Sequence, residues 1–470
     1  MTAKRIALVL AYLLFPAVFS LAFRLLSEDA AFYPPLYSMA IGAGISSYAL
    51  FCLQFVLAAR PRFVERAFGL DSIFRIHIAM ALAATALAIV HRQLFIAARG
   101  EGSDYWAYVL GRLALLAYLA AGVAALLFLA KTPLSRLKPV AALVAFGRKA
   151  GVSYGRSKAM HNVTLLVSAL ACAHALNVPA VAFYPALRAV MAAPFALALG
   201  FWLYHKAGRP TRSYAIRSMT RLGSLVTRIE AAPKRPRDAS AFAARKAGQF
   251  AFVRLRPPAP GAAGLTREFH PFTISSPPKA DGSLAFSVKA AGDWTMALYD
   301  AIGAFPGAEA PAERAWGLEV DGPYGRFSLE DRAPRGCESG PLVFIAGGIG
   351  ITPFLSMAGS LGRDSGRRVL ILWGARTRDD LAGLDELIAL SGRGGSGIRT
   401  VPILSNDPLW EGRKGFVDRA ALADLAAAEL ADPSSSYWIC GPEPMRILVV
   451  RALRALGVPR RRIRYENFSL

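Results

Sequence analysis

Six apolar runs in the first 205 residues decide what this chain can become. They cover about 5–23, 36–59, 71–97, 106–130, 157–180 and 185–205. A helix crosses the hydrocarbon core of a bilayer in about 20 residues, and each run is close to that length. Backbone in lipid must satisfy its own hydrogen bonds, so such runs become helices. Residues 206–470 read differently, with Gly, Pro and charge mixed among the apolar residues. At 470 residues, 54% hydrophobic and 19% charged, the chain is too long for one domain and too apolar for a wholly soluble one. A membrane half followed by a soluble half is the simplest division.

The formal net charge is +23. A balance this basic also suits nucleic-acid binding, but many of the cations fall between the apolar runs, and no nucleic-acid partner is expected. Lys4 and Arg5 precede the first run, and Arg60, Arg62 and Arg66 separate the second from the third. Lys131, Arg136, Lys138, Arg148, Lys149, Arg156 and Lys158 separate the fourth from the fifth, and Lys206, Arg209 and Arg212 follow the sixth. The alternate loops are poorer, with Arg24 beside Glu28 and Asp29, then Arg92 and Arg99. Cationic loops stay in the cytoplasm. Both termini and the soluble half are therefore expected there, with six helices in a bacterial inner membrane. The first run, opening on Lys4-Arg5, also has the composition of a cleaved signal peptide.

Of six histidines, four lie in the third and fifth runs, two in each: His77 and His91, His161 and His174. Ionisable groups at membrane depth are costly and point to function, and a neutral imidazole is a good axial ligand for haem iron. His77 and His91 are 14 residues apart, roughly 21 Å along a helix and close to one face. His161 and His174 are 13 apart. The two helices run in the same direction, so His77 is expected level with His161 near the inner surface, and His91 level with His174 near the outer one. That arrangement makes two stacked six-coordinate b-type haem sites. One detail fits poorly, since 13 ideal helical steps end about 140° off the starting face. The bland alternative is four polar side chains packed between helices. Arg75, Arg156 and Arg92 are candidate partners for haem propionates, and equally ordinary snorkelling arginines. His205, at the cytoplasmic end of the sixth run, reads as interfacial.

Cys52, Cys172, Cys337 and Cys440 form no C-x-x-C pair and give no sign of a cluster, a zinc site or a disulfide framework. In the soluble half, Gln249-Phe-Ala-Phe-Val-Arg254 and Leu284-Ala-Phe-Ser-Val-Lys289 alternate like antiparallel strands and predict a small β-barrel. From about 341 the pattern changes. Pro341-Leu-Val-Phe-Ile-Ala346 leads straight into Gly347-Gly-Ile-Gly-Ile-Thr-Pro353 and a helix, and later strands are Arg368-Val-Leu-Ile-Leu-Trp373 and Ser436-Tyr-Trp-Ile-Cys440. Strands alternating with helices predict a doubly wound nucleotide-binding sheet. Glycines there let backbone N–H groups approach a pyrophosphate at a helix N-terminus. The spacing is not G-x-G-x-x-G, and a tight structural turn explains it equally well.

His270-Pro-Phe-Thr-Ile-Ser-Ser276 resembles the flavin signature of ferredoxin-reductase-type proteins, in the form found in NADPH oxidases and ferric reductases. Gly292-Asp-Trp-Thr295, Asp321-Gly-Pro-Tyr-Gly325, Gly347-Gly-Ile-Gly-Ile-Thr-Pro353, Cys440-Gly-Pro442 and Glu466-Asn-Phe468 are similar to further motifs of that superfamily, in order. With the four histidines the resemblance covers nearly the whole chain. It implies a six-helix transmembrane di-haem domain (1–210), an antiparallel β-barrel FAD domain (211–335) and an α/β doubly wound NADPH-binding domain (336–470). The implied cofactors are FAD, two haem b and NADPH, with NADH as an alternative.

The resemblance also implies residue roles. Phe272 and Thr273, with Pro271 and Ser276 in the same motif, lie along the flavin. His270, Val288, Lys289, Trp294 and Thr295 hold its ribityl chain and pyrophosphate, Lys289 by charge. Gly347, Gly348, Gly350, Thr352 and Pro353 cradle the NADPH pyrophosphate. Cys440, Gly441 and Glu443 lie near the nicotinamide, and Phe468 covers the flavin face until nicotinamide displaces it. Cys440 taken alone reads better as a buried structural thiol. An arginine beyond the second strand suits a 2′-phosphate, so Arg376 is the first choice and Arg413 the second, each otherwise a surface arginine.

The expected reaction moves electrons from cytoplasmic NADPH through FAD and the two haems to an acceptor outside. The acceptor is oxygen, giving superoxide, or else a ferric chelate. Two other classes remain open: an electron-supplying subunit for a periplasmic partner, and a six-helix transporter with a nucleotide-sensing module. No EF-hand pattern points to calcium control, and oligomeric state has no signature.

Overall fold

A computed structural model describes residues 3–99, 106–128, 138–149, 157, 160–207, 211–223, 225–256, 265, 268–303, 316–332, 334–361, 366–391 and 397–466. The chain divides into two compact units, Met1–Arg209 and Pro210–Leu470.

The first unit is helical. Its main helices are α1 (Ala3–Leu26), α2 (Pro35–Ala59), α3 (Leu70–Arg99), α4 (Trp106–Phe128), α5 (Thr164–Asn177) and α6 (Pro185–Ala207). Proline sets several boundaries. Pro35 and Pro185 occupy first turns, where a missing N–H costs nothing, and α2 stops at Arg60, in the left-handed region at φ 51°, just before Pro61. α2 is the central helix and packs against α1, α3 and α6. Polar ties cross the bundle. Ser47 Oγ donates to Ala84 O at 2.8 Å, Tyr48 OH to Met191 O at 3.1 Å, and Gln54 Nε2 to Tyr12 OH at 2.8 Å. Apolar side chains instead point outward, among them Leu13, Leu21, Leu116, Val123, Leu166 and Leu203. An apolar exterior around polar internal ties suits a lipid surrounding.

Five of these helices are long and apolar enough to cross a membrane. The fifth expected span, 157–180, is not one continuous helix. Met160 and His161 are helical, Asn162 and Val163 form a turn, and α5 then runs for only 14 residues before Pro179. The turn is tight. Val163 N donates to Met160 O at 3.0 Å, Leu165 N to Asn162 O at 3.3 Å, and Thr164 Oγ1 to His161 O at 2.7 Å. Such three-residue steps turn about 120° each rather than 100°, which takes up part of the phase mismatch between His161 and His174.

The second unit holds two sheets. Strands β1 (Arg212–Leu222), β2 (Val226–Pro233), β3 (Phe250–Arg256), β4 (His270–Thr273), β5 (Leu284–Lys289) and β6 (Gly317–Tyr324) form an antiparallel sheet in the order β4-β3-β6-β1-β2-β5. Instead of a full ladder closing the expected barrel, its edges meet through one bridge, Ile274 to Phe286, beside which Ser275 N donates to Ala285 O at 2.8 Å. Inward residues Tyr214, Ile229, Val253, Phe286 and Val320 make its core. The helices α7 (Pro236–Ala243) and α8 (Asp293–Gly303) flank it.

Strands β7 (Leu342–Gly347), β8 (Val369–Ala375), β9 (Ile398–Leu404), β10 (Arg413–Lys414), β11 (Ser436–Cys440) and β12 (Ile463–Glu466) form a fully parallel sheet in the order β10-β9-β8-β7-β11-β12. Every residue of β7 and β11 is buried, as strands covered on both faces must be. The helices α9 (Thr352–Ser360), α10 (Leu384–Ser391) and α11 (Glu443–Ala455) include those that cover it. The winding direction reverses between β7 and β11, and in such sheets ligands bind at the carboxyl ends beside that reversal.

Candidate functional site

Within the helical unit the structure brings His77 opposite His161 and His91 opposite His174. Their ring centroids are 6.2 and 6.1 Å apart, with the planes at 78° and 67°. Two imidazole nitrogens bound to one metal ion at about 2.0–2.1 Å each, with ~1.1 Å from each nitrogen to its ring centre, give roughly 6.2 Å. The spacing therefore has room for one ion in each pair.

The two pairs are held differently. His91 Nδ1 lies 2.7 Å from Ala40 O on α2, and His174 Nδ1 lies 2.7 Å from Ala107 O on α4. A carbonyl only accepts, so these Nδ1 atoms carry the protons and leave Nε2 with a lone pair. The Nδ1 atoms of His77 and His161 are buried too, but have no hydrogen-bond partner among the described residues. The rings of Phe95 and Tyr108, 5.1 Å apart and tilted at 49°, lie beside the His91/His174 pair. Arg75 donates to Ser72 Oγ at 3.3 Å, while Arg156 lies outside the described residues.

In the antiparallel sheet, β4 carries His270, Pro271, Phe272 and Thr273, and Pro271 is tolerated because the strand is an edge. The His270 ring stacks on Trp294 of α8 at 4.2 Å and 28°, with Phe272 6.0 Å from Trp294. Thr273 is buried and Val288 lies in the core, which leaves the Val288 backbone rather than its side chain for any ligand. Thr295 Oγ1 accepts from Ala291 N at 2.9 Å and Gly292 N at 3.0 Å, closing the turn that starts α8.

Two residues expected to face the flavin have other partners. Ser276 Oγ accepts from Arg245 Nη2 at 3.1 Å and from Ala285 N at 3.0 Å, and its carbonyl accepts from Ser356 Oγ of α9 at 2.8 Å. Lys289 Nζ pairs with Asp380 Oδ1 at 2.7 Å. Burial raises the pKa of Asp380, but the hydrogen bond and charge of Lys289, with the Thr377 and Arg376 backbone N–H groups, outweigh it and hold the carboxyl below its usual range. The arginine under this region, Arg245, had no signal in its sequence pattern. It is buried and also reaches Phe242 O at 2.7 Å and Pro277 O at 2.6 Å. Burial lowers its pKa to about 10, against the pull of Tyr214 and Asp281.

At the winding reversal, the glycines expected beside the pyrophosphate and the nicotinamide divide into two groups. A Cβ on Gly347 would lie 2.4 Å from Met445 Sδ, one on Gly350 2.3 Å from Cys440 O, and one on Gly441 3.0 Å from Gly347 Cα. These three let the loop after β7 pack against the loop after β11. Only Gly348, at φ 51° with nothing within 4 Å of a Cβ, is open towards a ligand. Trp373 Nε1 fixes it by donating to Gly348 O at 3.0 Å. Thr352 Oγ1 donates to Ile349 O at 3.1 Å, and Pro353 opens α9. Cys440 is fully buried, as a structural thiol is, and Glu443 is exposed at the start of α11, 3.4 Å from Arg446. Arg376 is exposed just past β8, whereas Arg413 is paired with Asp424 at 3.0 Å. Phe468 lies outside the described residues.

Residues 231–328 match the FAD-binding domain family, and residues 344–450 match the oxidoreductase NAD-binding domain family. Ferredoxin–NADP reductase B of Sorangium cellulosum is 37% identical over 158 residues, covering 32% of this chain and 62% of that protein. The xylene/toluene monooxygenase electron transfer component of Pseudomonas putida is 30% identical over 202 residues, covering 42% and 52%. Among solved structures, the ferredoxin reductase of a carbazole 1,9a-dioxygenase is 21% identical with a TM-score of 0.42, covering 55% of this chain and 69% of that one. The chain thus spans between half and two thirds of the length of these two curated relatives. It carries an FAD-binding domain and an NAD-binding domain of the ferredoxin-reductase type.

Proposed function

We propose that the chain is a membrane oxidoreductase that takes electrons from cytoplasmic NADPH and delivers them, through FAD and two b-type haems, to oxygen on the opposite side of the membrane. The observation that carries this reading is the pair of histidine couples, each with the ring spacing of two ligands to one ion. No group of three or more protein ligands occurs among the described residues. His77 with His161 and His91 with His174 would each hold one haem, whose macrocycle would supply the ligands that two imidazoles leave open. When bound, the flavin would split a two-electron hydride into single electrons and the haems would pass them one at a time.

The chain's own residues would bind and orient. The aromatic cluster of His270, Phe272 and Trp294 offers a stacking surface for an aromatic cofactor. Gly348 offers an open backbone at the start of α9 for a pyrophosphate. Arg376 suits a 2′-phosphate better than Arg413, whose charge Asp424 already engages. Lys289 would exchange Asp380 for a phosphate oxygen. With two histidines engaged at each site, the acceptor would take its electron without binding the metal. The charge distribution between the apolar runs supports cytoplasmic termini.

Purified protein tests the reading. Two haem b and one FAD per chain, with NADPH-driven dye reduction that superoxide dismutase suppresses, are expected. Oxygen-insensitive reduction of a ferric chelate without superoxide would move the acceptor to iron. A preparation without haem absorbance would overturn the proposal. A second reading is supported by the relatives, several of which are reductase or electron-transfer components. Slow turnover with both acceptors, restored by a periplasmic partner, would favour it.

A further inference from the structure

Gly44 of α2 and Gly111 of α4 each lie against one of the histidine rings. A Cβ on Gly44 would lie 2.7 Å from His91 Nδ1, and one on Gly111 2.8 Å from His174 Nδ1. Both clashes are with an imidazole ring rather than the end of a flexible chain. In each case the carbonyl bonded to that Nδ1 belongs to the residue four positions earlier, Ala40 or Ala107. The same device therefore occurs twice: the glycine opens a seat on the neighbouring helix, and the carbonyl one turn before it accepts the hydrogen bond from the ring Nδ1–H. His77 and His161 have no such partner at Nδ1 among the described residues.

We infer that Gly44 and Gly111 are positioning residues for the His91/His174 metal site, and that the seats make the two haem sites electronically unequal. This rests on the proposed di-haem reading. An Nδ1–H donated to a carbonyl makes the imidazole a stronger donor through Nε2. Stronger donation favours the ferric state, so the His91/His174 haem has the lower midpoint potential of the two. The seat also fixes ring rotation and tautomer, which an unpartnered imidazole does not.

The test uses the full chain with its haems. Redox titration of the wild-type protein is expected to resolve two haem components. In Gly44→Ala and in Gly111→Ala the lower component is lost or shifts upward, while the higher one and the flavin content stay. Gly42→Ala and Gly122→Ala lie on the same helices with nothing within 4 Å of a Cβ, and are expected to keep both components. Unchanged lower components in both seat variants, or a change confined to the higher one, overturn the assignment.

A second measurement needs no variant and decides where a seat variant loses both components. Hyperfine spectroscopy of oxidised wild-type protein, before and after transfer to D2O, reads the Nδ1 protons. Slow exchange at one haem and fast exchange at the other is expected, and equal exchange at both overturns the assignment. A wild-type protein without haem would instead overturn the proposed function.

Discussion

In the helical unit, Gly44 and Gly111 lie against imidazole rings. In the parallel sheet, Gly347, Gly350 and Gly441 lie against backbone and the Met445 thioether. A missing Cβ thus serves two ends. Between helices it lets a rigid side chain approach a neighbouring carbonyl, and under the proposed function that side chain would meet the ligand. Between βα loops it lets two backbones touch, and under the proposed function the N–H groups beside them would meet the ligand. Gly348 differs from its neighbours because its positive φ, not close packing, demands glycine.

Removing one side chain should break that comparison most visibly. His174→Ala is expected to lower haem content by about half and to abolish electron delivery, with flavin content and NADPH-driven flavin reduction intact. Pyridine haemochrome assay and flavin absorbance check it, and retention of both haems would remove the pairing. Next come the loop glycines. Gly350→Ala drives a Cβ onto Cys440 O and should cost roughly 1–3 kcal/mol of stability. Gly348→Ala meets no atom and should cost about 1 kcal/mol, for the strained backbone alone. Thermal unfolding beside nucleotide titration separates the two, because Gly348→Ala is expected to weaken nucleotide binding more than it lowers stability.

Arg376→Ala is expected to reduce the preference for NADPH over NADH by about 10-fold, and Arg413→Ala by much less, since Asp424 already holds that charge. Ratios of kcat/KM for the two coenzymes test this order. The smallest effect expected is at Asp380. Its folded pKa is depressed, so its ion pair with Lys289 stabilises the fold above the unfolded carboxylate value. That contribution is lost as pH falls below about 4. Asp380→Asn should flatten the acid limb of a stability–pH curve and, by freeing Lys289, tighten FAD binding a few-fold. A steeper acid limb would contradict the sign.

Much of the architecture was legible because hydrophobic period and run length are local properties. Long apolar runs gave apolar helices, the alternation at 249–254 and 284–289 gave antiparallel strands, and the apolar runs at 341–346 and 436–440 gave parallel ones. The fifth run misled, because apolar composition does not report a break. The turn at Asn162-Val163 depends on hydrogen bonds such as Thr164 to the His161 carbonyl, and no periodicity records them. Ser276 and Lys289 belonged to a flavin motif, yet their structural partners, Arg245, Ser356 and Asp380, lie far away in sequence.

The sequence by itself singled out the residues to which the proposed chemistry is assigned: four histidines in apolar runs, a flavin motif and a glycine-rich turn after a buried strand. Only the tertiary structure decided how each is held. The spacing Ala-x-x-x-Gly occurs at 40–44 and again at 107–111, a small-residue pattern that allows close helix approach but does not say what approaches. Packing supplies that answer, because a ring can reach a carbonyl on another helix only where three-dimensional contact brings it beside a residue without a Cβ. The histidines are therefore readable from composition and depth, while the inequality between His77/His161 and His91/His174 is a property of the assembled helices alone.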